Sequence, residues 1–251
     1  MIRRAFLAVA LAAFAVVSAS AQQTPAPART AAENDRYTAY FDWIVFGSEF
    51  AGLGSPVVRK WTDPIRYKLG FNAAAGTAAV NRFRPVVERH LKVLSELTLL
   101  KFEEIGVRDP GENLIIWFST ADKLVEDGRM LAANPAELDR LKLDTANCFF
   151  LSYAVEGKMV AARIVANSQL PQMEIEHCLL EELAQSLGLP NDDDRVAPSL
   201  FNDSFKLMGP SMIDRVLLRL LYDPRMRPGM PRAQALVLVR QVLSELNPGG
   251  G

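Results

Sequence analysis

The stretch HCLLEELAQSLGLPNDDD, from His177 to Asp194, reads as a buried helix, a glycine stop and an acidic loop. With successive side chains about 100° apart, Ile175, Leu179, Leu180, Leu183, Ala184 and Leu187 occupy an arc wider than half the helix circumference. Such a helix is expected to be mostly buried. What remains is a narrow polar stripe of His177, Glu181 and Gln185 at i, i+4 and i+8, with Cys178 and Glu182 at its edge. Gly188 stands where a left-handed residue ends a helix, and Pro190 prevents its continuation. The chain is therefore expected to turn and carry Asn191, Asp192, Asp193 and Asp194 back toward the stripe.

The segment EELAQSLGLPN aligns without gaps on H-E-x-x-H-x-x-G-x-x-H, the zinc-binding signature of a large class of metalloproteases. Glu181, Gln185 and Asn191 fall at its three histidines, Glu182 at its catalytic glutamate and Gly188 at its glycine. The continuation SLFNDSFKLMGPSMIDRVLLRLLYDP resembles the chain downstream of the motif in that class: a loop, a turn beneath the metal and a helix ending near Leu-Tyr, with Phe201 near the turn methionine. The resemblance implies one α+β zincin-like domain with a mixed sheet, a central motif helix and C-terminal helices. More narrowly, E-E-x-x-Q-x-L-G-L-x-N-D followed by S-L-F-N-D is similar to the hallmark of exported bacterial proteins carrying domain of unknown function 2927. That likeness covers roughly residues 60 to 225, is strongest from Cys178 to Pro224, and implies no established activity.

Catalytic zinc needs three firm ligands and one position kept for water. The aligned set is one carboxylate, Glu181, and two carboxamides, Gln185 and Asn191, and carboxamide oxygens are weak neutral donors suited to hard cations. Without a metal to acidify water, Glu182 has no evident nucleophile to activate. The expectation is thus a domain without zinc or another cofactor, using Glu181, Gln185, Asn191, Asp192, Asn202 and Asp203 to bind a peptide, glycan or protein partner of the cell envelope. Two alternatives stand beside it. One is a hydrolase with Glu182 as general acid or base, helped by Glu181, Asp192 or Asp203. The other is hard-metal binding, such as calcium, by Asp192, Asp193, Asp194, Asn202 and Asp203, whose spacing matches no calcium loop.

The N-terminus, MIRRAFLAVALAAFAVVSASAQQ, combines Arg3 and Arg4, an apolar run from Ala5 to Val17 and the small-residue motif Ala19-Ser20-Ala21. This predicts a secretory signal peptide over residues 1–21, a mature chain starting at Gln22 and a periplasmic or secreted protein with no membrane anchor after cleavage. The polar residues of a twin-arginine signal are missing around the arginine pair, so the general route is expected. Residues 22–33, rich in Pro, Ala, Gln and Thr, suit a flexible linker; 34–247 form the domain and 248–251 a disordered tail. Cys148 and Cys178 are the only cysteines, and in an oxidising compartment such a pair suits a disulfide, with two buried thiols the alternative. The whole chain has 28 basic and 29 acidic side chains, so no positive field favours nucleic acid or an anionic membrane.

Elsewhere the patterning predicts a helix from Asn34 ended by Gly52 and Gly54, a strand in PIRYKLGFN, a long helix from Val80 to Leu99 and a short strand at Phe102–Ile105. NLIIWFST reads as a buried strand, Pro135–Leu141 as helical, and NCFFLSYAV and MVAARIVAN as a hairpin around EGK. Helices at Ser211–Tyr222 and Arg232–Leu246 close the chain. His90 and His177 are the only histidines, which excludes a three-imidazole site; His90 is expected at the surface or its boundary, and His177 as a hydrogen-bonded structural residue, with ligand or base the alternative. Ser186 lacks a nucleophile elbow, and Trp43, Trp61 and Trp117 suit core or boundary packing.

Overall fold

The β-rich runs assemble as their composition demands. In a computed structural model, which describes residues 30–48, 54–106, 108–138, 143 and 146–246, the strands are β1 (Ile65–Phe71), β2 (Phe102–Glu104), β3 (Leu114–Ser119), β4 (Cys148–Val155) and β5 (Lys158–Asn167). They form one sheet in the order β2-β1-β3-β5-β4, parallel throughout except that β4 runs antiparallel to β5 at the edge. Both faces of the central strands are covered, which is why LIIWFS and the end of β5 are nearly continuous apolar runs. On one face Ile116, Phe118, Phe150 and Ile164 join the main core beneath the helices α2 (Gly76–Thr98) and α5 (Gln172–Gln185). On the other, Phe149 and Val165 meet Leu124 and Leu138, from α3 (Leu124–Leu131) and the short α4 (Pro135–Leu138). Successive residues of β4 and β5 thus serve opposite layers, as the two-residue strand period requires.

The α+β class, the mixed sheet and the hairpin stand as expected. The linker ends earlier than expected: α1 spans Ala31–Phe46 because Thr30 and Glu33 form a capping box, so residues 31–33 belong to the domain. Its other end is also earlier, at Gly47 rather than the later glycines. Helix α2 begins at Gly76, and α3 was not signalled by the patterning. The remaining helices are α6 (Met212–Leu221), with a Ser211/Asp214 capping box, and α7 (Arg232–Glu245), which packs on α1 and is tied to it by Arg232 and Asp42 at 2.6 Å. The expected signal peptide, the linker before Thr30 and the tail lie outside the described residues. Among the described residues no helix is long and apolar enough to cross a membrane.

Helix α5 is fixed at both ends. Cys178 in its second turn is bonded to Cys148 at the start of β4, with Cα atoms 6.3 Å apart. At its C-terminal end, carbonyls that a helix leaves without partners are taken up from outside: Trp61 Nε1 donates to Ser186 O at 2.9 Å and the Tyr222 hydroxyl to Leu187 O at 2.8 Å. Gly188 comes next with φ of 111°, and a Cβ there would stand 2.1 Å from the Arg59 carbonyl oxygen. Only glycine allows both that dihedral and that approach.

Candidate functional site

The polar stripe of α5 forms the floor of a cleft of about 500 Å³. Ala146, Asn147 and Cys148 bound it at the start of β4, and Asp192, Asp203 and Lys206 come from the loop after α5. His177 is 2% exposed, Glu182 6% and Gln185 1%, so the floor is polar yet buried. Among the described residues, five carboxylates, those of Glu174, Glu181, Glu182, Asp192 and Asp203, line the cleft against one lysine. An acidic cleft with buried walls concentrates negative potential.

Two contacts set the floor's geometry. Gln185 Nε2 donates to Asp192 Oδ1 at 2.8 Å, tying the loop to the last turn of α5. His177 Nδ1 lies 3.1 Å from the Leu207 carbonyl oxygen, which can only accept, so Nδ1 carries the proton and Nε2 presents its lone pair. Burial holds the His177 pKa below its ordinary value, opposed by the Leu207 hydrogen bond, and so favours this neutral tautomer. Nε2 stands 3.4 Å from Glu181 Oε2, and one carboxylate oxygen from each of Glu181, Asp192 and Asp203 lies within 4.8 Å of the other two. The loop that brings Asp203 here is braced by buried Asp214, whose carboxylate accepts from Ser199 Oγ at 2.6 Å and Leu200 N at 3.1 Å.

With this arrangement in view, the family described as "Protein of unknown function (DUF2927)" matches the chain over residues 34–241. The chain belongs to this family. No curated protein matches it.

Within this DUF2927 domain, the residues picked from the motif divide into two groups. Glu181, Glu182, Gln185, Asp192 and Asp203 do meet in the cleft. Asn191 does not: its amide donates to Trp43 O at 3.0 Å, at the end of α1, where Gly47 leaves it room. The Gly188 turn thus delivers Asp192, one residue later than the alignment places the third ligand. Asn202 is 2% exposed and holds the loop together, donating to Asp194 O at 2.9 Å and Val196 O at 3.1 Å while accepting from Ser204 N at 3.0 Å. Asp193 is likewise turned away, paired with Arg195, whose guanidinium lies 3.5 Å over the Trp43 ring and holds the Asp193 carboxyl below the usual range. The five-residue oxygen set considered for calcium is therefore not assembled, and neither is a zinc triad of positions 181, 185 and 191.

One histidine reading changes as well. His90 is 2% exposed rather than at the surface, with Nε2–H donating to Glu176 O at 3.0 Å, because α2 packs face to face against α5. His177 is hydrogen-bonded as expected and also lines the cleft, and Lys206 joins it. The i, i+4 spacing of His177 and Glu181 was the available signal for the first; Lys206 had none, since its position depends on the path of an irregular loop.

Proposed function

We propose that this DUF2927 protein is an exported zincin-like scaffold that has lost zinc peptidase chemistry and binds an extended peptide along β4, over the α5 cleft. The observation that carries this reading is the position of β4: an edge strand whose first residue, Cys148, with Ala146 and Asn147 just before it, bounds a polar cleft floored by the motif helix. An edge strand offers its outward backbone groups to an incoming strand, and alternate side chains of that strand then enter neighbouring pockets. Asn147 O accepts from Asn167 N at 3.0 Å across the hairpin, so in an antiparallel ladder the backbone groups of Cys148, Phe150 and Ser152 point outward. The zincin-like part of the reading is supported by a mixed sheet whose antiparallel edge strand leads through β5 into the motif helix. The loss of zinc chemistry is supported by the carboxamides at two ligand positions and by Asn191 facing α1. Export is supported by the disulfide and by the leader-like residues 1–21.

The test is selection of peptides from a displayed random library on the purified protein, followed by fluorescence anisotropy with the Ser152→Pro variant. Proline removes one outward N–H while leaving the β5 ladder intact, so selected peptides should bind the variant at least about tenfold more weakly. Equal binding by a folded variant would overturn the edge-strand reading. Intact-mass measurement of the exported protein should give a chain beginning at Gln22; retention of residues 1–21 in a membrane fraction would overturn export.

A further inference from the structure

Three carboxylates gathered at one point repel each other, and acidic clusters on surfaces are commonly only solvated. This one differs in what stands beneath it. His177 is 98% buried, since 2% is exposed, and its Nε2 has no hydrogen-bond partner among the described residues although it lies in the same cleft, 3.4 Å from Glu181 Oε2. With the ring proton committed to the Leu207 carbonyl, Nε2 is a bare lone pair facing a carboxylate oxygen. A cation between the two would satisfy both. Gln185 adds a second such group: it is 1% exposed, its Nε2 is held by Asp192, and its Oε1 is buried in the same cleft without a partner among the described residues.

We infer that His177 and Glu181 on the helix, with Asp192 and Asp203 closing in from the loop, form a binding site for a divalent first-row transition ion, one helical turn before the position at which the zincin alignment would place a metal. The distances suit an ion. Two ligand atoms about 2.1 Å from a common ion at a tetrahedral angle are about 3.4 Å apart, and opposite ligands of a six-coordinate transition ion are about 4.2 to 4.4 Å apart. The separations here are 3.4 Å for His177 and Glu181 and at most 4.8 Å among the carboxylate oxygens, so the loop carboxylates draw slightly inward when the ion enters. The Nδ1–H bond to a backbone carbonyl is the arrangement that orients a metal-binding imidazole and fixes its tautomer. The imidazole also sets the class of ion: calcium and magnesium take oxygen ligands, whereas a mixed nitrogen and carboxylate set suits zinc or manganese. The inference uses only the side-chain cluster and stands whether or not a peptide binds along β4.

The experiment is isothermal titration of the chelator-stripped, full mature protein with Zn²⁺, Mn²⁺ and Ca²⁺ in separate runs, with thermal unfolding in parallel. The expected result is about one equivalent of Zn²⁺ or Mn²⁺ bound, at least about tenfold more tightly than Ca²⁺, with a rise in Tm. His177→Gln and Asp203→Asn should each weaken that binding at least about tenfold, and Asn191→Ala should leave it unchanged. Asp203 is exposed, so its variant folds and keeps the test decisive even where the buried His177 substitution does not. Three results would each overturn the site: no stoichiometric uptake of either transition ion by the folded protein, Ca²⁺ binding as tight as Zn²⁺ and Mn²⁺, or undiminished binding by Asp203→Asn.

Discussion

Gln185 and Asp192 are joined by a 2.8 Å hydrogen bond that closes the loop after Gly188 onto α5, so the wall of the cleft is set by its own floor. A hydrogen bond to a carboxylate is worth about 1.5–3 kcal/mol when buried and less when, as here, one partner is half-exposed. A double-mutant cycle with Gln185→Ala and Asp192→Ala, read by chemical denaturation, should therefore give a coupling of about 1 kcal/mol. Additive effects would mean that the two residues do not hold one another.

Asn191, one residue away, should behave differently. Its amide satisfies the Trp43 carbonyl at the end of α1 and takes no part in the cleft. Asn191→Ala is expected to lower stability by about 1 kcal/mol while leaving peptide affinity as it is. A loss of peptide binding without a loss of stability would return Asn191 to the site.

The contrast between these neighbours shows where sequence patterning stops. Periodicity was enough to place β1, β3, the β4–β5 hairpin, α5 and α7, because each has an apolar stripe or run whose period is independent of the rest of the chain. It also placed Glu181, Glu182 and Gln185 together, since they share a helix whose opposite face is plainly apolar. It failed at the loop. Whether residue 191 or 192 returns to the helix depends on the backbone path through Gly188 and Pro190, and on a carbonyl of α1 that lies 148 positions away in sequence. Asn202 and Asp203 diverge for the same reason: Asn202 is consumed by carbonyls of its own loop. The burial of His90 likewise depends on α5 crossing α2, and polar neighbours such as Arg89 gave no sign of it.

His90 gives the domain an acid-labile point. Burial, and the positive charge of Arg89, push its pKa down to about 4 against 6.5, opposed by the hydrogen bond to Glu176. The unfolded chain then binds the proton more readily than the folded one, so stability is fully present above about pH 6.5 and is lost as pH falls toward 4. A shift of that size corresponds to about 3 kcal/mol. Denaturant midpoints from pH 7 to pH 4 should fall for the natural protein, and less steeply for His90→Gln. Parallel slopes would show that His90 takes no part.

The Cys148–Cys178 bond ties the rim strand to the floor helix across 30 residues. In the chain-entropy account, closing such a loop contributes about 3.5 kcal/mol. Replacing both cysteines by serine should cost about that much in equilibrium denaturation and weaken peptide binding, because β4 and α5 are then free to separate. Alkylation of the native, non-reduced protein should label neither residue.

The most direct measurement is site-specific photocrosslinking in intact cells, with a benzophenone amino acid in place of Asn147 at the cleft rim or of Val237, which is 64% exposed on α7. The position 147 probe should capture a discrete partner, with the attachment mapped by mass spectrometry to an extended segment of it, and Ser152→Pro in the same chain should abolish the capture. The Val237 probe should capture nothing in common. Crosslinks of equal yield from both positions, or capture at 147 that survives Ser152→Pro, would contradict binding along β4 over the α5 cleft.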